Sequence, residues 1–126
     1  MLANLPVNAT LPAVDLERAK RFYTERLGLS PEMEAPGGIF FRCGEGTRFL
    51  VFPSGGTASG SHTQMGWTVE DIEAEVAALK TRGVVFEEYD TPGLKTVNGI
   101  AITGTDKAAW FKDSEGNLFG LVQFAE

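Results

Sequence analysis

A chain of 126 residues, 43% hydrophobic and 22% charged, has the size and makeup of one globular domain, with enough apolar material for a core that needs neither disulfide nor metal. A net charge of −6 excludes the basic surface that nucleic acid or an anionic membrane requires, so neither is expected as a partner, and cationic ligands are favoured over anionic ones. The single cysteine, Cys43, excludes an internal disulfide and suits a reducing, cytoplasmic setting. The opening MLANLPVNATLPAVDLERA lacks a basic segment followed by an apolar run, so no signal peptide is expected. No stretch approaches the roughly 20 apolar residues of a membrane-spanning helix.

In chain order, Val7 to Leu11 reads as a short strand that Pro12 ends. Asp15 caps a helix beginning at Leu16, whose apolar face is Leu16, Ala19, Phe22, Tyr23 and Leu27, and Gly28 stops it. Strands are expected near Pro31–Ala35, Ile39–Cys43 and Thr47–Phe52, separated by Gly37-Gly38 and Gly44-Glu45-Gly46. The Gly/Ser-rich run from Pro53 to Ser61 reads as a linker. Thr63 to Val69 is then a strand, Asp71 caps a helix over Ile72–Arg82, and Gly83 ends it. Val84–Tyr89, Ala108–Lys112 and Leu118–Phe124 are the next strands, with Ser114-Glu115-Gly116-Asn117 as the last turn. Residues 90–107 read as a long Gly/Thr-rich connection, and loops of that length commonly cover a site. Glu87, Glu88 and Asp90 look like a solvated acidic edge.

The pattern repeats. Asn8 lies seven residues before Asp15, and Gln64 seven before Asp71; each aspartate is followed by an aliphatic residue and a glutamate. Such a repeat predicts two copies of one strand–helix–strands unit, each needing the other to bury its face. The expected architecture is a single α+β domain over residues 1–126, with module 1 at about 5–53, a linker at 54–62 and module 2 at about 63–126.

Three segments carry a resemblance. LPAVDLERAKRFYTERLGLS resembles the opening helix of the vicinal oxygen chelate superfamily, which includes glyoxalase I, bleomycin-resistance proteins and extradiol dioxygenases. WTVEDIEAEVAALKTRGVVFE resembles its second helix, and WFKDSEGNLFGLVQF its closing hairpin. The resemblance covers nearly the whole chain. It implies two βαβββ modules whose curled mixed sheets surround a cleft, and a homodimer.

Enzymes of that superfamily hold a divalent metal through His and Glu ligands, donors that suit such ions while leaving positions open to substrate oxygens. By resemblance the two histidine positions fall on Asn8 and Gln64, the closing glutamate falls on Gly120, and the remaining position lies within Arg48–Phe52, which has no carboxylate or imidazole. Neutral amides are poor ligands for transition metals and glycine has no donor, so no metal and no other cofactor is expected. His62 is the one histidine; two residues before Gln64, it would share that residue's face in a continuous strand, as a ligand or as a surface residue.

Strand alternation sends Asn8 and Thr10 to one face, and Gln64, Gly66 and Thr68 to the polar face of the second strand, with Met65, Trp67 and Val69 opposite. Buried amides need partners, so Asn8 and Gln64 either bond each other or receive a ligand. Phe40, Arg42, Phe52, Tyr89 and Trp110 are candidate wall residues, although any aromatic also serves as core. Cys43 reads as a small buried residue. The leading expectation is a small-molecule binder without a metal. Two further readings stay open: a metal-dependent glyoxalase-like lyase, isomerase or dioxygenase, and a non-catalytic dimeric interaction module.

Overall fold

The computed structural model describes residues 1–125, which fall into two compact units, 1–57 and 58 onward. In the first unit, β1 (Ala9–Ala13) leads to α1 (Leu16–Arg21), then to β2 (Pro31–Ala35), β3 (Gly38–Arg42) and β4 (Arg48–Pro53). The sheet order is β1-β4-β3-β2, with β1 parallel to β4 and the other pairs antiparallel. Asp15 caps α1 as expected, its Oδ1 accepting from the Arg18 N–H at 3.0 Å. The helix does not run on unchanged: Phe22–Arg26 form a wider π turn before Gly28. Pro12 lies inside β1 and does not end it. The strand is at the edge of its sheet, where proline's missing donor is tolerated.

Period-two alternation divides this sheet. Leu11, Ile39, Phe41, Phe49 and Val51 are buried with Ala19 and Tyr23 of the helical segment. The rings of Tyr23, Phe41 and Phe49 pack with centroids 5.1–5.5 Å apart. This aromatic cluster fixes which face each strand turns to the helix, because a one-residue slip would exchange the two faces.

In the second unit, β5 (Met65–Thr68) and α2 (Ile72–Thr81) precede β6 (Asp90–Thr91), β7 (Leu94–Val97), β8 (Ile100–Thr103), β9 (Asp106–Lys112) and β10 (Leu118–Gln123). The order is β5-β10-β9-β8-β7-β6, with β5 parallel to β10. The first strand again closes on the last, so the repeat is real at the level of topology. Asp71 Oδ1 caps α2 through the Ala74 N–H at 3.1 Å. Phe111 and Phe119 are buried, with Phe86 packed on Phe111 and Trp67 on both.

Residues 84–107 depart from expectation. Val84–Tyr89 form no strand and contribute one bridge, Phe86 to Phe111. The anticipated loop instead holds β6, β7 and β8. Asn98 and Gly99 both take positive φ, 55° and 85°, which is the two-residue hairpin turn that an Asn-Gly pair favours. Glu88 is not merely solvated: its Oε1 accepts from Thr96 Oγ1 at 2.6 Å and the Gly99 N–H at 2.9 Å, pinning the β7–β8 hairpin. These bonds, the hydroxyl's first, hold the Glu88 carboxyl below the usual glutamate range. No helix among the described residues is long and apolar enough to cross a membrane.

A Cβ at Gly99 would stand 3.0 Å from the Phe86 Cβ, on a backbone with φ of 85°. Gly99→Ala is expected to cost about 1–2 kcal/mol, seen as a lower urea midpoint at unchanged slope.

Candidate functional site

Each sheet carries its helix on one face, and the candidate site residues lie on the other. In the second unit, register aligns them in rows. Gly66 of β5, Gly120 of β10 and Trp110 of β9 form one row; Thr68, Val122 and Ala108 form the next. Gly66 is exposed, and a Cβ there would meet only the Gly120 backbone, with the carbonyl oxygen at 3.1 Å. A Cβ on Gly120 would lie 3.5 Å from Trp110 Nε1 and 3.6 Å from its Cδ1. Thr63 Cγ2 would be nearer still, at 3.4 Å; all three are ordinary van der Waals contacts, so the indole and the Thr63 methyl flank position 120. The indole Nε1 donates to Thr63 Oγ1 at 3.1 Å. Tyr89 meets Trp110 edge to face, centroids 5.6 Å apart. Burial, with a smaller contribution from the Glu87 charge, raises the Tyr89 phenol above its usual range, so it stays protonated at neutral pH.

Gln64 sits at the entrance to β5, and its amide is already engaged. Asp113 accepts at Oδ2 from Asn117 Nδ2 at 2.8 Å, and at Oδ1 from the Asn117 and Glu115 N–H groups. A carboxylate only accepts, so the Asn117 nitrogen must face it and the Asn117 oxygen must face Gln64. Gln64 Nε2 donates to that oxygen at 3.0 Å, and Gln64 Oε1 accepts from the Leu118 N–H at 3.2 Å. Asn117 is fully buried and Asp113 nearly so. This network joins the last turn to the start of β5. His62 lies outside the strand, exposed, its Nδ1 3.4 Å from Ser59 Oγ. The face-sharing expected of His62 fails because β5 begins at Met65.

In the first unit, Thr10, Phe40, Arg42 and Phe52 share the face away from the helix through the pairs Thr10–Leu50, Phe40–Leu50, Arg42–Arg48 and Pro12–Phe52. Asn8 precedes β1 and is half-buried. Glu32, which sequence reasoning did not single out, accepts from Arg42 Nε and, at 3.1 Å, from Arg48 Nη1. These hydrogen bonds, Arg42's first, hold the Glu32 carboxyl below its usual range. The Arg48 guanidinium lies 4.5 Å from the centre of the Phe40 ring. A hollow of about 220 Å³ on this face is lined by Met33, Ala35, Gly37, Gly38, Phe40 and Leu50. Among the described residues, no group of three or more His, Cys, Asp or Glu side chains is placed to hold a metal ion.

Residues 6–121 match the family described as Glyoxalase/Bleomycin resistance protein/Dioxygenase superfamily. The chain belongs to this superfamily. None of the curated proteins matches it in sequence. Solved structures of similar fold include a glyoxalase/bleomycin resistance protein/dioxygenase from Alicyclobacillus acidocaldarius, at TM-score 0.71 and 19% identity over 98% of this chain and 93% of that one. TnmS3, an antibiotic binding protein from Streptomyces sp. CB03234, gives TM-score 0.66 and 24% identity over 97% and 98%. The fosfomycin resistance protein FosX from Listeria monocytogenes gives 0.70 and 15% over 97% and 94%. At these identities the likeness establishes the fold, and this superfamily member's chemistry has to come from its own side chains.

Gln64→Leu would remove the hydrogen bond from Gln64 Nε2 to the buried Asn117 oxygen and the one that Gln64 Oε1 accepts from the Leu118 N–H. The variant is expected to lose about 1–3 kcal/mol, read by chemical denaturation, with secondary structure preserved in circular dichroism.

Proposed function

We propose that this superfamily member binds a small aromatic molecule on the open face of the second unit's sheet, without a metal. The observation that carries the reading is the Trp110–Gly120 pair. Where the resemblance calls for a metal-binding glutamate, the chain has a glycine, with the indole of its cross-strand partner Trp110 lying against that position. At the position expected to supply an imidazole, Gln64 has both polar atoms of its amide bonded to Asn117 and Leu118. Neutral amides and a glycine do not make a donor set for a divalent ion.

What remains suits a planar ligand. Trp110 and Tyr89 offer ring surface, Gly66 leaves bare backbone beside them, and Thr68 supplies a hydroxyl on the same face. Pockets of this kind are mostly apolar with a few polar groups that set orientation. A net charge of −6 favours the approach of a cationic ligand. The antibiotic-binding role of TnmS3 is in keeping with a binder of this type.

The test is a tryptophan fluorescence titration of EDTA-treated protein with planar aromatic cations and neutral aromatic metabolites. At least one compound should bind with undiminished affinity after EDTA. Trp110→Ala should weaken that binding roughly tenfold, the worth of one good aromatic contact. A panel that binds nothing, or binding that needs added metal, contradicts the reading.

A further inference from the structure

The β7–β8 hairpin turns on Asn98-Gly99. In that dipeptide the side-chain amide of the first residue and the backbone nitrogen of the second can close a five-membered imide. Glycine has no side chain to shield its nitrogen, and Asn98 is exposed. Local sequence and exposure by themselves make the turn prone to deamidation.

The fold opposes it by gripping one peptide unit from both sides. The carbonyl oxygen of that unit, on Asn98, accepts from Lys80 Nζ of α2 at 3.1 Å. Its N–H, on Gly99, donates to Glu88 Oε1 at 2.9 Å. Glu88 is in turn fixed by Thr96 Oγ1 at 2.6 Å. Gly99 is buried, and a Cβ added to it would stand 3.0 Å from the Phe86 Cβ. A peptide unit is planar, so its oxygen and nitrogen turn together. Closing the ring requires the Gly99 nitrogen to swing round beside Asn98 Cβ. The left-handed conformation of Asn98, φ 55°, holds the two far from that alignment. The peptide unit has to rotate, and rotation breaks both the Lys80 and the Glu88 bonds.

We propose that Asn98 is a deamidation site that Lys80 and Glu88 keep latent. When the grip opens, the Gly99 nitrogen gives its proton to a solvent base and attacks Asn98 Cγ. The N–Cγ bond forms, the Cγ–Nδ2 bond breaks, and Nδ2 takes a proton from water and leaves as ammonia. Water then opens the imide at either carbonyl, giving aspartate or isoaspartate. Both products add a negative charge at the turn. Isoaspartate also adds a carbon to the backbone of a two-residue turn whose register depends on its length. The proposal does not rest on the ligand-binding reading of the aromatic face.

The experiment incubates the full chain at neutral pH and follows conversion of Asn98 by peptide mass spectrometry, with isoaspartate scored by enzymatic methylation. The folded chain should convert at least about tenfold more slowly than the same chain unfolded in urea. Glu88→Ala should speed conversion of the folded chain roughly tenfold, and Lys80→Met roughly threefold. Lys80 is exposed, so its variant carries the test if Glu88→Ala does not fold. Gln64→Leu, which weakens the fold away from the turn, should stay near the wild-type rate. The proposal is overturned if folded and urea-unfolded chains convert equally fast, if the folded clamp variants convert no faster than wild type, or if Gln64→Leu speeds conversion as much as they do.

Discussion

The closure of the first strand of each unit onto its last strand is the constraint on which the other features rest. Leu11 opposite Val51, and Trp67 opposite Leu121, lock the parallel pairs with the apolar side toward the helix. Once that side is chosen, alternation assigns every neighbour. Thr10, Phe40, Arg42 and Phe52 must then share the open face of the first sheet, and Gly66, Thr68, Gly120 and Trp110 that of the second. The aromatic clusters around Tyr23 and around Phe111 supply the burial that makes the choice unambiguous.

Register also accounts for the surroundings of Gly120 and Gln64. Gly120 and Trp110 are direct cross-strand partners, so the indole lies against the position that carries no side chain. Gln64 meets Asn117 because β5 runs beside β10, which follows the turn that Asp113 organises. An amide held by two bonds to a buried turn is a strut, and turning it outward to a ligand would break both of them.

Much of this was legible in the residues. The capped helix starts at Asp15 and Asp71, the stops at Gly28 and Gly83, the final turn and the two-copy plan all follow from local chemistry that tertiary context did not override. The stretch from Val84 to Lys107 was misread because its strands are short and its hydrophobic pattern is weak. The Asn98-Gly99 pair between two β-branched runs is the signal for the hairpin, set within a stretch whose overall composition is that of a loop. Pro12 was overread, since only strand order tells whether a proline sits at an edge. Candidate wall residues could be named from alternation. The Trp110–Gly120 contact, the engagement of Gln64 and the Glu32–Arg42–Arg48 cluster depend on inter-strand register, which one sequence does not carry.

Charge shows the same division between average and local. The chain as a whole is acidic, yet three lysines line one cavity of the second unit, where a short helix leaves the outer strands uncovered. The central claim, that the aromatic face works without a metal, is tested most directly by elemental analysis of untagged protein expressed in medium supplemented with nickel, zinc, iron and manganese. The account predicts no stoichiometric transition metal after dialysis. One tightly held ion per chain, lost on replacing Gln64 or Asn8, would contradict it.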